Sequence, residues 1–242
     1  MWRRHGVTTV SLPFAKLGPG DAERVAAAGL RVVSVLTLGA RLDTEDDWPR
    51  YGEELDTLVG AASTMGARYI ALTSGSAGAM PWDEAVDALG RLLSPFVARA
   101  PVPVIVEHTN QLRSDLSFVF RLRDTLDVAR ALKMGVLMET TACWGERDLE
   151  ATLADGAADI ALVHVSDLGP VVLSTPDRLV PGDGVIPLTR MAATLLAAGY
   201  EGPFELEFAG PHIEAMGYDV ALARALPATE RILAEAAAIA WA

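Results

Sequence analysis

The sequence has a single cysteine, Cys143, so no disulfide can form within the chain. Such scarcity fits a reducing compartment, and we expect a cytoplasmic protein. No apolar run reaches the roughly 18 residues that a membrane-spanning helix needs, so we expect no membrane association. The basic start MWRRHGVTTV is too short for a secretory signal and lacks a small-residue cleavage site.

Positive charge is also scarce. The 242 residues carry 20 Lys and Arg against 32 Asp and Glu, which gives a net charge of −12. A surface of this charge repels phosphate backbones, so we expect no nucleic-acid partner. No GxGxxG motif follows an apolar run, which argues against a dinucleotide site. The composition is otherwise that of a globular protein, with 51% apolar residues to form a core.

Seven short runs rich in Val, Ile and Leu predict seven β-strands. Most of them are continuous rather than alternating, which is typical of parallel strands covered on both faces. Ala- and Leu-rich segments with helical spacing separate them. The pattern is therefore a βα repeat without a linker, and we predict a single domain over residues 1–242. The runs cover residues 7–12, 31–37, 67–73, 102–109, 134–140, 160–167 and 203–210.

The repeat predicts an α/β fold, a TIM barrel of the (β/α)8 type that lacks its first βα unit. Such a barrel has eight strands, and the opening MWRRHG reads as the tail of a helix that ends at Gly6. The alternative fold is an open doubly wound sheet. Seven strands leave two unpaired sheet edges, so we expect a homo-oligomer, most simply a two-fold dimer, to cover them. The alternative is that the natural chain starts upstream with a further βα unit.

Polar side chains stand at the C-terminal ends of four successive predicted strands, where the active sites of parallel barrels lie. Three buried carboxylates and an imidazole require a neutralising partner, which a divalent cation provides. This oxygen-rich set suits Mn²⁺ or Mg²⁺, with Co²⁺ or Zn²⁺ as alternatives. We expect Glu205 and Glu207 to face opposite sides of the sheet, with Glu207 toward the barrel axis. The candidate ligands are Glu107, Glu139, His164 and Glu207.

Further polar or aromatic residues lie close to the same strand ends. Asp167 is a metal ligand, a partner that orients the ring of His164, or a helix cap, and we favour the second role. Asn110 follows the strand of Glu107, and Cys143 and Trp144 follow the strand of Glu139. Cys143 and Trp144 either line a pocket or pack in the interior.

Five stretches, in this order over residues 100–210, resemble the xylose-isomerase-like TIM barrels, a family of sugar phosphate isomerases and epimerases. They are VIVEHTN, GVLMETTACW, LVHVSD, RLVPGDGVIPL and GYEGPFELEF. The resemblance implies that the four candidate ligands hold one divalent cation and that Glu107 and Glu207 also transfer protons. The chain has Glu139 where the family usually has Asp, and Ala142 where it often has a His that contacts substrate.

The resemblance also implies a substrate-binding region. The PGDG loop, residues 181–184, with Arg178 before it, resembles the loop that closes beside the substrate in this family. Loops of this kind carry specificity. The predicted substrate contacts are Asn110, Trp144, Asp167, Arg178 and Asp183.

The chemistry implied by the resemblance is the isomerisation or epimerisation of a sugar, a sugar acid or a polyol ketone. Proton abstraction next to a carbonyl gives an enediolate, and return of the proton gives the product. A lyase or dehydratase of the inosose-dehydratase or C-glycoside-cleaving kind shares the first step and is an alternative, as is a non-catalytic barrel subunit. A phosphodiesterase of the endonuclease IV kind needs a cluster of several metals. The chain has only four His, which argues against that activity.

Overall fold

The computed structural model describes residues 2–241, with Arg3 described by its backbone alone. By its internal contacts the chain divides into two units, Met1–Val119 with Asp127–Val136, and Phe120–Leu126 with Leu137–Ala242. The single domain remains a prediction, and its first and last residues lie outside the described range. Within that range, no helix is both long enough and apolar enough to span a bilayer.

The first unit contains four parallel strands that pair in sequence order. These are β1 (Thr9–Pro13), β2 (Arg31–Thr37), β3 (Tyr69–Thr73) and β4 (Val104–Glu107). The connecting helices are α1 (Asp21–Ala27), α2 (Trp48–Met65) and α3 (Trp82–Arg99). Short 3-10 turns cover Trp2–His5, Phe14–Lys16, Glu45–Asp47 and Gln111–Arg113.

Local signals in the first unit place these elements as predicted. Adjacent residues Ile70 and Ala71 in β3 are both fully buried, as a strand covered on both faces requires. Helix α2 ends at Gly66, whose φ of 63° is the left-handed conformation that favours glycine at a helix end. Asp83 and Glu84 occupy the first turn of α3, where negative charge stabilises the helix dipole.

The remaining strands and helices lie in the second unit or at the division between the two units. The strands are β5 (Gly135–Glu139), β6 (Ile160–Val165) and β7 (Phe204–Leu206), and β6 pairs in parallel with β7. The helices are α4 (Leu122–Leu132), α5 (Thr140–Cys143), α6 (Leu149–Gly156), α7 (Leu188–Ala197), α8 (Pro211–Met216) and α9 (Tyr218–Ala240). The division between the units falls within α4 and β5. The described residues therefore contain seven strands, as predicted.

The packing of β7 corrects one expectation. Phe204 packs against the cluster of Ala192, Ala193 and Ala236, and Leu206 packs against a second apolar cluster that includes Ile213. Residues two apart in a strand share a face. Glu205 and Glu207 therefore both lie on the face opposite Phe204 and Leu206. The expectation that Glu205 and Glu207 face opposite sides of the sheet is wrong. Glu207 extends the pairing beyond the strand, because its N–H donates to the carbonyl of Val165 at 3.2 Å.

Candidate metal-binding and catalytic site

Three of the predicted ligands meet at the C-terminal ends of strands in the second unit. Glu139 is the last residue of β5, His164 is the penultimate residue of β6, and Glu207 directly follows β7. Nδ1 of His164 lies 3.8 Å from Oε2 of Glu139 and 3.4 Å from Oε2 of Glu207. The donor atoms all lie within 4.8 Å of one another. At bond lengths of about 2.0–2.5 Å, one cation can contact all of them.

The three side chains differ in exposure. The side chains of Glu139 and His164 are only 3% and 2% exposed, whereas that of Glu207 is 39% exposed. Burying an ionised carboxylate is costly unless a positive group compensates it. The cluster therefore has a buried side, at Glu139 and His164, that requires compensation, and a more exposed side at Glu207.

Glu139 is oriented by the helix that follows it. Its Oε1 accepts hydrogen bonds from the backbone N–H of Thr141 at 2.9 Å and from the hydroxyl of Thr141 at 2.8 Å. Glu139 is thus the N-cap of α5. Because these contacts use Oε1, they leave Oε2 directed toward His164. Glu is not among the preferred N-cap residues, so the sequence predicts only a strand end at Glu139.

Arg178 lies between two of the predicted ligands. Its Nη2 donates to Oε2 of Glu139 at 2.9 Å, and its Nη1 donates to Oε2 of Glu207. The Arg178 side chain is 15% exposed, so this is a largely buried ion pair. From the sequence, Arg178 was predicted only as a substrate contact. Its contact with both carboxylates depends on the path of the loop after β6, and no local pattern encodes that path.

The two carboxylates have pKa values displaced in opposite directions. Burial raises the pKa of Glu139 to about 8, against the opposing effect of Arg178 and with a further raising effect of Glu207. Burial also acts to raise the pKa of Glu207, but Arg178 and His164 outweigh it and hold that pKa well below its ordinary range. The cluster thus favours the protonated form of Glu139 and the ionised form of Glu207. Paired carboxylates separated in this way are typical of sites that move protons.

Asp167 supports the PGDG loop. Its two carboxylate oxygens accept four backbone hydrogen bonds, which fills their capacity. The expectation that Asp167 orients the ring of His164 is therefore wrong, and its contact with substrate remains a prediction. Gly184 lets the loop approach this closely, because a Cβ there would lie 2.2 Å from the carbonyl oxygen of Leu168. The four donors are the N–H groups of Leu168, Gly182, Gly184 and Ile186, at 2.9–3.0 Å.

Two predicted site residues belong to the first unit. Glu107, the fourth predicted ligand, is the partly buried last residue of β4. Asn110 caps the 3-10 turn that follows, and its Oδ1 accepts from the N–H of Leu112 at 2.9 Å. The metal-binding and proton-transfer roles of Glu107 and the substrate contact of Asn110 remain predictions.

Two further predicted substrate contacts belong to the second unit. Trp144 follows the last residue of α5 and is partly exposed. Asp183, in the PGDG loop, accepts two hydrogen bonds from Nη2 of Arg224 in α9, at 2.8 and 3.1 Å. The structure thus gives Asp183 a partner in α9 that the sequence did not predict, and substrate binding by Trp144 and Asp183 stays a prediction. Cys143 is fully buried, which is consistent with interior packing.

Comparisons with known proteins agree with this fold. The chain superposes on the IOLI protein with a bound zinc atom with a TM-score of 0.84 at 14% identity, covering 97% of this chain and 91% of that one. A xylose isomerase domain protein from Alicyclobacillus acidocaldarius subsp. acidocaldarius is 25% identical, with a TM-score of 0.72 and coverages of 98% and 92%. An L-ribulose 3-epimerase is 20% identical, with a TM-score of 0.73 and coverages of 99% and 88%. No curated protein sequence matches significantly.

These likenesses confirm the predicted barrel-type fold and rule out the open doubly wound sheet. They extend over nearly the whole chain and include the segments in which the resemblance was recognised. The model of the xylose isomerase-like TIM barrel family matches residues 3–236. The chain belongs to the xylose isomerase-like TIM barrel family.

Proposed function

We propose that the protein is a divalent-metal-dependent isomerase or epimerase that acts on a small sugar, sugar acid or polyol ketone. The observation that carries this proposal is the convergence of three donor atoms at the ends of β5, β6 and β7. The similarity to a zinc-binding protein and to an L-ribulose 3-epimerase supports it. The proposed ligands are Glu107, Glu139, His164 and Glu207.

The donor set fits a divalent cation. Carboxylate oxygens from Glu139 and Glu207 and the imidazole nitrogen of His164 form a hard, oxygen-rich set, to which Glu107 would add a further carboxylate. Such a set suits Mn²⁺ or Mg²⁺ and also accepts Co²⁺ or Zn²⁺. The side chains are carried by strand ends, and the start of α5 fixes the orientation of Glu139 before a ligand binds.

The proposed chemistry is proton transfer next to a carbonyl. A bound cation supplies charge that polarises the carbonyl and acidifies the neighbouring C–H bond. Glu207 is the proposed base, because it is more exposed than Glu139, the other carboxyl group of the second unit. Glu107 returns a proton from the opposite face in this proposal. Return to the same carbon is epimerisation, and return to the neighbouring carbon is aldose–ketose isomerisation.

A dehydratase is the second candidate. The chain resembles a probable 3-DHS dehydratase from Bacillus anthracis at 13% identity, with a TM-score of 0.72, over 95% of this chain and 91% of that one. Elimination of water begins with the same proton abstraction and differs only in the loss of a neighbouring hydroxyl. Product analysis therefore separates the two candidates.

The test is a screen for solvent deuterium uptake by ketoses and inososes, after elemental analysis of the purified protein. We expect a bound divalent metal and metal-dependent incorporation of deuterium next to a carbonyl, with an epimer or isomer as product. A dehydrated product assigns the second candidate. Glu207→Gln should reduce incorporation by about 10²–10⁴-fold. Glu201→Gln is the matched control, because Glu201 is an exposed glutamate just before β7. Bound metal without any exchange in the screen, or exchange that survives metal removal, contradicts the proposal.

A further inference from the structure

The guanidinium of Arg178 contacts the same oxygen atoms that face His164. Oε2 of Glu139 and Oε2 of Glu207 lie 3.8 and 3.4 Å from Nδ1 of His164. These same two atoms accept hydrogen bonds from Nη2 and Nη1 of Arg178. Nη1 also lies 3.4 Å from the carbonyl oxygen of Glu207. An internal cation thus already contacts both carboxyl groups on the oxygen atoms that the proposed metal would use.

The backbone around Arg178 is anchored on several sides. The N–H of Arg178 donates to the carbonyl of Ala209 at 3.0 Å. The preceding residue, Asp177, accepts from the backbone N–H of His212 at 3.2 Å and pairs with its Nδ1 at 2.8 Å. The following residue, Leu179, exchanges two backbone hydrogen bonds with Asp167, at 2.8 and 3.3 Å. The fold therefore delivers this arginine to the cluster.

We propose that Arg178 competes with the divalent cation for Glu139 and Glu207 and so lowers the affinity of the site for metal. This inference rests on the proposed metal site. A guanidinium and a dication repel each other strongly at such short range in a poorly solvated cluster. Metal binding therefore requires the guanidinium to leave at least one of the two carboxylates. In the metal-free protein, Arg178 instead stabilises the fold by compensating the negative charge of the cluster.

A role for Arg178 in orienting the metal ligands predicts the opposite change in metal affinity. If its hydrogen bonds only orient Glu139 and Glu207 as ligands, loss of the guanidinium weakens metal binding. If Arg178 competes, loss of the guanidinium strengthens it. The sign of the change in affinity therefore decides between competition and orientation.

The experiment is a calorimetric titration of the chelator-treated protein with Mn²⁺, and separately with Zn²⁺, at one fixed pH. We expect Arg178→Gln to bind metal at least about tenfold more tightly than the unsubstituted protein, which corresponds to about 1.4 kcal/mol. Arg178→Lys keeps the charge but loses the two-pronged contact. Its affinity for metal should therefore lie between those of the unsubstituted protein and Arg178→Gln. Arg224→Gln is the matched control, since Arg224 pairs with Asp183 in the loop that follows Arg178.

Thermal melting supplies a second measurement that does not involve activity. Without metal, the melting temperature of Arg178→Gln should be lower than that of the unsubstituted protein. Added metal should raise the melting temperature of Arg178→Gln by more than it raises that of the unsubstituted protein. Equal or weaker metal binding by a folded Arg178→Gln overturns the inference while leaving the metal site intact. If neither protein binds metal, the proposed function fails and the inference fails with it. If Arg178→Gln does not fold, Arg178→Lys decides between the two roles. Tighter metal binding by Arg178→Lys supports competition, and equal or weaker binding overturns it.

Discussion

Nδ1 of His164 lies 3.4 Å from Oε2 of Glu207, although the two residues come from different strands of the second unit. The parallel pairing of β6 with β7 creates this proximity, because it brings the C-terminal ends of both strands to one edge. Glu139 approaches the same nitrogen from β5, at 3.8 Å. The cluster therefore forms where three strand ends meet, and we propose that it binds a metal ion.

His164→Ala should lower the metal content of the purified protein and its activity together, because the imidazole supplies the nitrogen ligand. Elemental analysis of protein equilibrated with excess Mn²⁺ measures the first effect. His5→Ala is the control, since His5 is a partly buried histidine of the 3-10 turn Trp2–His5 and lies outside the proposed ligand set. Full metal occupancy in His164→Ala would exclude His164 as a ligand.

Glu207→Gln and Glu107→Gln should each reduce exchange of the substrate C–H with solvent by about 10²–10⁴-fold, the usual contribution of a general acid or base. The measurement is deuterium incorporation followed by NMR, with circular dichroism to verify the fold. Unchanged exchange in both variants would disprove the two-carboxylate mechanism. A loss in Glu207→Gln alone would remove Glu107 from it.

The stability of the metal-free protein should fall as pH rises from about 4.5 to about 8. The pKa of Glu139 is raised from 4.5 to about 8, so in this window the folded state holds a proton that the unfolded state releases. Each pH unit then lowers the free energy of unfolding by up to about 1.4 kcal/mol. This slope is measured by urea unfolding in the presence of a chelator at about pH 5.5, 6.5 and 7.5.

Glu139→Gln is the control for that slope, because the amide cannot release a proton. The unsubstituted protein should lose stability with pH more steeply than this variant. The pKa of Glu207 is displaced downward, so its own titration lies below this window and leaves the comparison undisturbed. Identical slopes would show that Glu139 does not titrate there.

Gly184→Ala should destabilise the protein by about 1–3 kcal/mol, the range for overpacking. The added Cβ would lie 2.2 Å from the carbonyl oxygen of Leu168 and 2.3 Å from Oδ1 of Asp167. Gly145→Ala is the matched control, because a Cβ there has no heavy atom within 4 Å. Chemical denaturation of both variants is the measurement, and equal stabilities would contradict the role given to Asp167 in holding the loop.

We also predict a homodimer. The expectation follows from the seven-strand repeat, since unpaired strand edges expose backbone donors and acceptors that a second copy can cover. Sedimentation equilibrium over a range of micromolar concentrations tests it. A monomer at every concentration, with high stability, would refute the prediction.

Local pattern was enough to predict several features of this protein. Continuous apolar runs located seven strands, because a strand buried on both faces needs apolar residues throughout. Gly66 marked the end of α2, because few other residues adopt a positive φ at low cost. Glu139, His164 and Glu207 were recognisable as site candidates, because a polar residue that ends an apolar strand is costly to bury without a partner.

Tertiary structure decided the features that depend on side-chain partners distant in sequence. The sequence did not reveal that Arg178 bridges Glu139 and Glu207, because that contact depends on the path of the loop after β6. The sequence also did not reveal that Asp167 accepts hydrogen bonds from the backbone of Gly182, Gly184 and Ile186, because residues 182–186 must first fold back to Asp167. Composition and periodicity determine which segments form strands and which residues end them. The partners of a buried charge are determined only when the folded chain brings distant atoms within hydrogen-bonding distance.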